Sequence, residues 1–419
     1  MKRIFLYIAT IFVLIFLFFC STVNKIPSPK EKLAIDSLSF LEMVKTLSVT
    51  PEDLKFLDKS EKKFWEVVQL ILKSDFSLVE QKCREILVSD VSNRFRFEYL
   101  KFLTYSLFYQ SKWAELIPSQ NTFYYDPDSV FLLAKVFAKV EPQSVVFSKN
   151  VDTIEFETAP NGAIILKVFV NGKQRNFWFD TGTNYTIVSS KTAEDCNLPI
   201  LSKETSKAVT HTEYKVDVRP TFIQSLRLGN LEILNHPSLV VDDYNLKLRL
   251  IASNVPVEIY GIVGWKTIQN AKFTINYQKR IMIIEKPEKE FRNYPNFFWF
   301  GVPIVIGKFK NQQLLFILDI GAEKSYLTQN IFKKIDFQKV YEQTKQIGSV
   351  GGWKFNPTVV IPYFEVYFDS VKISFKDIGT IDFKKDYFFE IDGIFGLDLV
   401  KNSKISFDIS NSNFKVQKN

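Results

Sequence analysis

Two short segments of this 419-residue chain carry an aspartate at the end of an apolar run and a glycine two residues later. They are Trp178-Phe179-Asp180-Thr181-Gly182-Thr183 and Ile317-Leu318-Asp319-Ile320-Gly321-Ala322. They lie 139 residues apart, and the same shift sets Gly162 on Gly301 and Phe177 on Phe316 without a gap. Farther on, a shift of 132 sets Gly261-Ile262-Val263-Gly264 on Gly393-Ile394-Phe395-Gly396, and Asn270 and Lys272 on Asn402 and Lys404. A lone Asp-x-Gly is common in loops, whereas two in register, each with its own downstream glycine segment, make an internal repeat. Two carboxylates brought within about 3 Å cannot both ionise cheaply, so they share one proton and their apparent pKa values separate. One can then take a proton from water while the other donates one, the roles belonging to the pair.

The elements that must present these aspartates read as strands. Beyond Glu141-Pro142 the chain consists of short β-branched and aromatic runs separated by Gly, Asn and Pro, at 164–170, 177–179, 314–318 and 359–368. Asn171-Gly172 between the first two predicts a tight hairpin turn. After each Asp-x-Gly comes a polar stretch and an apolar pair, Ile187-Val188 or Tyr326-Leu327. Each glycine segment leads into a helix-like turn. Two copies of this size suit two small β domains on one chain.

Residues 37–140 have a different texture. Phe64, Trp65, Val67, Val68, Leu70, Ile71 and Leu72 form one apolar stripe. Leu78, Cys83, Ile86 and Leu87 form a second, and Tyr99, Leu100, Leu103, Leu107 and Phe108 a third, all near helical spacing. Asp126-Pro127-Asp128 reads as a capped start for a helix over 129–140. The expectation is an α-helical hairpin array without a consensus repeat, serving as a docking platform for a protein partner or a spacer, or else as a purely structural unit.

At the N-terminus Met1-Lys2-Arg3 precedes an almost wholly apolar run over 4–19 and then Cys20. A short basic region before such a run reads as an export signal. Leu17, three before the cysteine, fits a lipoprotein signal in which Cys20 is lipidated, whereas Phe18 and Phe19 stand where small residues are usual. An uncleaved anchor and a plain cleaved signal are the alternatives, and all three place the remainder outside the cytoplasm, periplasmic or at the cell surface. The reading by residue is a signal or anchor over 1–20, a tether over 21–36, a helical domain over 37–148, and β lobes over 149–288 and 289–419.

Composition removes other classes. The formal charge of +8 includes Lys2 and Arg3, and the remaining lysines are scattered with no basic stripe between stacking aromatics, which argues against nucleic acid. Cys20, Cys83 and Cys196 share no metal-ligand spacing, and Cys83 and Cys196 are read as free thiols. His211 and His236, the only histidines, have no Cys or His neighbour, so neither a histidine metal site nor a Ser-His-Asp triad is supported. No metal and no cofactor are expected.

The duplicated Asp-x-Gly with its glycine segment resembles the pepsin and retroviral-type aspartic peptidases, over about residues 155–419. It is most similar to bacterial membrane-anchored members with two fused retropepsin-like lobes behind a helical segment. The resemblance implies a mainly β, bilobal fold and hydrolysis of a peptide or protein substrate by Asp180 and Asp319. It also implies a monomer that assembles the site as an intrachain pseudo-dimer. Thr181 matches the residue whose hydroxyl bonds across to the other loop, Thr183 is placed to bond the Asp180 carboxylate, and Gly264 and Gly396 would pack beneath the loops. Gly182 and Gly321 are expected to allow a tight turn and close backbone approach, with Ala322 following the second motif. Flaps would fall near Tyr214 and near Gly351, Gly352 and Trp353. Ile320 departs from the family's Thr or Ser, which leaves a catalytically impaired peptide-binding member as the alternative.

Overall fold

The computed structural model describes residues 40–119, 130–202, 206–209, 215–246, 259–289, 294–310, 312–349, 352–382 and 387–418. Cys20, Tyr214 and Gly351, the apolar run over 4–19, and the predicted helix cap at 126–128 lie outside them.

Among the described residues six α-helices come first: α1 (Phe40–Lys45), α2 (Lys59–Leu72), α3 (Phe76–Ser89), α4 (Arg96–Tyr109), α5 (Trp113–Ser119) and α6 (Val130–Phe137). Asp58 and Glu61 close a capping box on α2, the Glu61 N–H donating to Asp58 Oδ1 and the Asp58 N–H to Glu61 Oε2, both at 2.9 Å. Phe64, Val67, Val68, Ile71 and Leu72 form its buried face. The sequence gives α4 a single apolar stripe, but every residue from Lys101 to Phe108 is buried, Phe102, Thr104, Tyr105 and Ser106 included. The cause is that α4 lies against both β lobes. Tyr105 and Phe102 pack on Phe300 of the second lobe, with ring centroids 4.5 and 5.5 Å apart. Phe108 stacks on Trp299 of that lobe and meets Tyr185 of the first edge-on, each at 5.6 Å. One hydrophobic core therefore runs through the helices and both lobes.

Each lobe is built on the same three strands in the same register. In the first, Gly261–Val263 lies parallel to Lys173–Phe179, with Gly261 opposite Phe177 and Val263 opposite Phe179, and antiparallel to Thr186–Ser189. In the second, Gly393–Phe395 lies parallel to Gln312–Leu318, with Gly393 opposite Phe316 and Phe395 opposite Leu318, and antiparallel to Tyr326–Thr328. These pairs are related by the sequence shifts of 139 and 132, so the repeat is structural. Asn171 and Gly172 take φ of 47° and 81° between paired Val170 and Lys173, the two-residue turn that the sequence predicts. Gly162 and Gly301, equivalent by the shift of 139, both have positive φ, 91° and 78°.

The lobes are not two closed β domains. A third sheet joins them, in the order Val151–Glu155, Ile281–Glu285, Lys272–Asn276, Ser403–Asp408, Asn413–Lys418. At its centre Phe273 pairs with Phe407, Thr274 with Ser406 and Ile275 with Ile405. Equivalent strands thus meet each other about a pseudo-twofold axis, the arrangement of a symmetric dimer on one chain. Cys83 and Cys196 are free and buried.

Candidate active site

Asp180 and Asp319 each follow directly on the last residue of their central strand. The Asp180 N–H donates to Val263 O at 3.1 Å and the Asp319 N–H to Phe395 O at 2.9 Å, so each glycine segment fixes the backbone of its own aspartate. The two carboxyl groups face each other across the lobe junction, hydrogen-bonded, at 8% and 5% exposure. Burial pushes the Asp319 pKa above the usual carboxylate range, against the opposing pull of the Ala322 N–H, Asp180 and Gly321.

Gly182 and Gly321 permit this approach, each from within a turn at 181–182 and 320–321, the second closed by the Ala322 N–H donating to Asp319 O at 3.1 Å. Neither occupies the left-handed region. Instead, a β-carbon on Gly182 would fall 2.5 Å from Asp319 Cγ, and one on Gly321 would collide with Asp180 Cγ. Each glycine makes room for the opposite lobe's aspartate. Gly264 and Gly396 lie behind the loops for a similar reason: a β-carbon on Gly264 would meet Thr183 O at 2.9 Å, and one on Gly396 would meet Ala322 O at 2.8 Å.

The two halves are held unequally. The Thr181 hydroxyl donates to Leu318 O at 2.6 Å and accepts from the Ile320 N–H at 2.8 Å, a buried two-bond bridge between the lobes. Ile320, fully buried, has no hydroxyl with which to return it. Asp180 accepts from the Gly182 N–H at 2.8 Å and from the Thr183 hydroxyl at 2.7 Å. At the position matching Thr183, Ala322 offers Asp319 only its backbone N–H, at 3.1 Å. Of the residues expected to form flaps, Gly352 and Trp353 begin the strand Gly352–Phe368, opposite Ser349 and Gly348.

Sequence reasoning missed the braces behind the loops. In the second lobe the Gly396 N–H donates to Ser325 Oγ at 3.0 Å, and Ser325 donates to Asp398 Oδ1 at 2.5 Å. In the first, the Gly264 N–H reaches Thr186 Oγ1 at 3.3 Å, and Thr186 and Thr267 share a bond of 2.7 Å. Thr267 bonds His236 Nε2 at 2.9 Å, and His236 Nδ1 faces Gln143 Oε1 at 3.0 Å. Burial, with a smaller push from Lys266, drives the His236 pKa down to about 3, so this packed histidine is neutral. The available signal was the repeat register, which pairs Thr186 with Ser325 and Lys266 with Asp398.

Residues 166–251 match the family model described as "gag-polyprotein putative aspartyl protease". Among solved structures, a retropepsin-like aspartic protease from Rickettsia conorii is similar at 17% identity, covering 35% of this chain and 96% of that one, with a TM-score of 0.25. No curated protein matches the sequence.

Proposed function

We propose that this chain, retropepsin-like by family match and bilobal in fold, is an aspartic endopeptidase whose catalytic pair is Asp180 and Asp319. The observation that carries the reading is the facing, hydrogen-bonded pair of buried carboxyls, each seated against the other lobe's glycine. Such a pair holds one proton between two oxygens and leaves the other oxygens to a water molecule. The ionised member takes a proton from that water as it attacks the peptide carbonyl. The protonated member donates to the carbonyl oxygen, and the proton later moves to the leaving nitrogen. The Gly182 N–H and Thr183 hydroxyl stabilise charge on Asp180, while burial favours a proton on Asp319. This asymmetry favours Asp180 as the base in the resting state. Both carboxylates come from one chain, so a monomer suffices.

The test is incubation of the soluble form with a mixed peptide library from acid to neutral pH. Cleavage abolished by Asp180→Asn and by Asp319→Asn is the expected result, and cleavage surviving both changes would overturn the assignment. A second reading, a peptide-binding member without turnover, is favoured by Ile320, which leaves the bridge one-sided. Peptide binding without cleavage at any pH would support it.

We also infer attachment to a membrane outside the cytoplasm, from Lys2-Arg3, the apolar run over 4–19 and Cys20. Among the described residues no helix is long and apolar enough to cross a membrane. Recovery of the full chain in the soluble fraction, with no dependence on residues 1–20, would overturn this inference.

A further inference from the structure

The residue after each glycine segment's first helical position differs between the lobes: Asp398 in the second and Lys266 in the first, related by the shift of 132. Asp398 turns inward and braces its own loop through Ser325. Lys266 turns away from its lobe. Its side chain is 1% exposed, and its ammonium donates to Phe108 O, to Tyr109 O at 3.0 Å and to Ser111 Oγ at 3.0 Å. The two carbonyls are at the C-terminal end of α4, where helix carbonyls lack intrahelical partners and the helix dipole favours a cation. The Phe108 and Trp113 rings lie 4.6 and 5.1 Å from the nitrogen, adding cation–π attraction. Burial pulls the Lys266 pKa well below its ordinary value.

The backbone of the same residue reaches the active site. The Lys266 N–H donates to Asn184 O at 2.9 Å and the Trp265 N–H to Thr183 O at 2.7 Å, while the Thr183 hydroxyl holds Asp180. The second lobe has the backbone bond, from the Leu397 N–H to Ala322 O at 2.8 Å, but an aspartate where the lysine would be. We propose that Lys266 is a positioning residue that fastens the Asp180 loop to the end of α4, so that the helical domain holds one carboxylate of the pair in place. The helices are then part of the site's scaffold rather than a spacer. This role rests on the peptidase reading only where turnover is the readout.

The test compares the full chain with Lys266→Met, which keeps the stem and removes the donors, and with Ser111→Gly. The latter removes one acceptor at a residue whose φ of 58° glycine adopts without strain. Backbone hydrogen exchange is followed over 180–186 and over the equivalent 319–325. Exchange over 180–186 is expected to rise at least about fivefold in Lys266→Met and about twofold or more in Ser111→Gly, with 319–325 unchanged. Equal acceleration of both loops, or none, would overturn the proposal. If Lys266→Met does not fold, Ser111→Gly decides by the same criterion. Where the parent cleaves peptide, kcat is expected to fall with KM held, and an unchanged kcat in Lys266→Met counts against the proposal. A parent without cleavage sinks the peptidase reading separately and leaves the exchange comparison decisive.

Discussion

Gly182 of the first lobe sits against Asp319 of the second so closely that a β-carbon there would lie 2.5 Å from the carboxyl carbon. Gly321 stands in the mirrored relation to Asp180. The separation of the carboxylates is thus set by two glycines that exclude everything larger than hydrogen. Gly182→Ala must push the lobes apart or rotate Asp319. The expected cost is about 1–3 kcal/mol of stability from overpacking. Peptide cleavage should fall by at least about 10², because small displacements in the site are expensive. Denaturant unfolding and cleavage assays on Gly182→Ala and Gly321→Ala check this; near-normal activity in either would show that the gap is not critical.

Thr181 supplies the only side-chain hydroxyl in the observed bridge between the two Asp-x-Gly loops. Thr181→Val keeps the volume and leaves Leu318 O and the Ile320 N–H without that partner in a buried setting. At about 1–3 kcal/mol for each group the loss is about 2–6 kcal/mol, and Thr181→Ser should recover most of it. Ile320→Thr tests the missing half. A hydroxyl there contributes only about 1 kcal/mol net and gives up apolar burial, so stability should change little while turnover rises. If turnover does not rise, Ile320 is not the weak point of the site.

The parts of this arrangement that could be read from sequence are those encoded locally. The runs ending at Asp180 and Asp319, and the turn at Asn171-Gly172, follow from residue type and spacing, and the two shifts align the strands without reference to anything distant. What escaped was set by partners far along the chain. Lys266 looks like one more surface lysine until Phe108 and Tyr109 are seen above it. Tyr105 and Ser106 look like the polar side of an amphipathic helix until Trp299 and Phe300 cover the first and Phe76 O takes the hydroxyl of the second. The pairing of Phe273 with Phe407 spans the junction between lobes, and no local pattern announces it. Gly182 was legible as a required glycine, but the reason lies in the opposite lobe.

Burial holds the Asp319 pKa above its unfolded value, which gives a stability test independent of any substrate. Between the unfolded and folded pKa the native state binds a proton that the unfolded chain has released. The contribution is therefore fully present at low pH and is lost as pH rises through the folded pKa. Asp319→Asn removes that loss. Its melting temperature relative to the parent should be higher at about pH 7 than at about pH 4, below which both states are largely protonated. A difference that does not depend on pH would mean that Asp319 is not buried in the way described.

His236 sets the opposite limb. Its folded pKa of about 3 lies below the ordinary 6.5, because the ring is fully buried behind the Asp180 loop and near Lys266. As pH falls from 6.5 toward 3 the unfolded chain takes up a proton that the native ring refuses, so stability falls, by about 1.4 kcal/mol per pH unit from this group alone. The brace from Gly264 through Thr186 and Thr267 ends on that ring, so protonating it makes Nε2 a donor and requires the Thr267 hydroxyl to turn and accept, reversing the direction of the brace. The folded chain is therefore expected to lose stability steadily as the pH falls below about 6.5. Urea unfolding at closely spaced pH values should show the slope in the parent and a shallower one in His236→Gln, which removes the titrating group at some cost in stability near neutrality. Parallel slopes in the two proteins would show that acid sensitivity originates elsewhere and that His236 does not limit the working range.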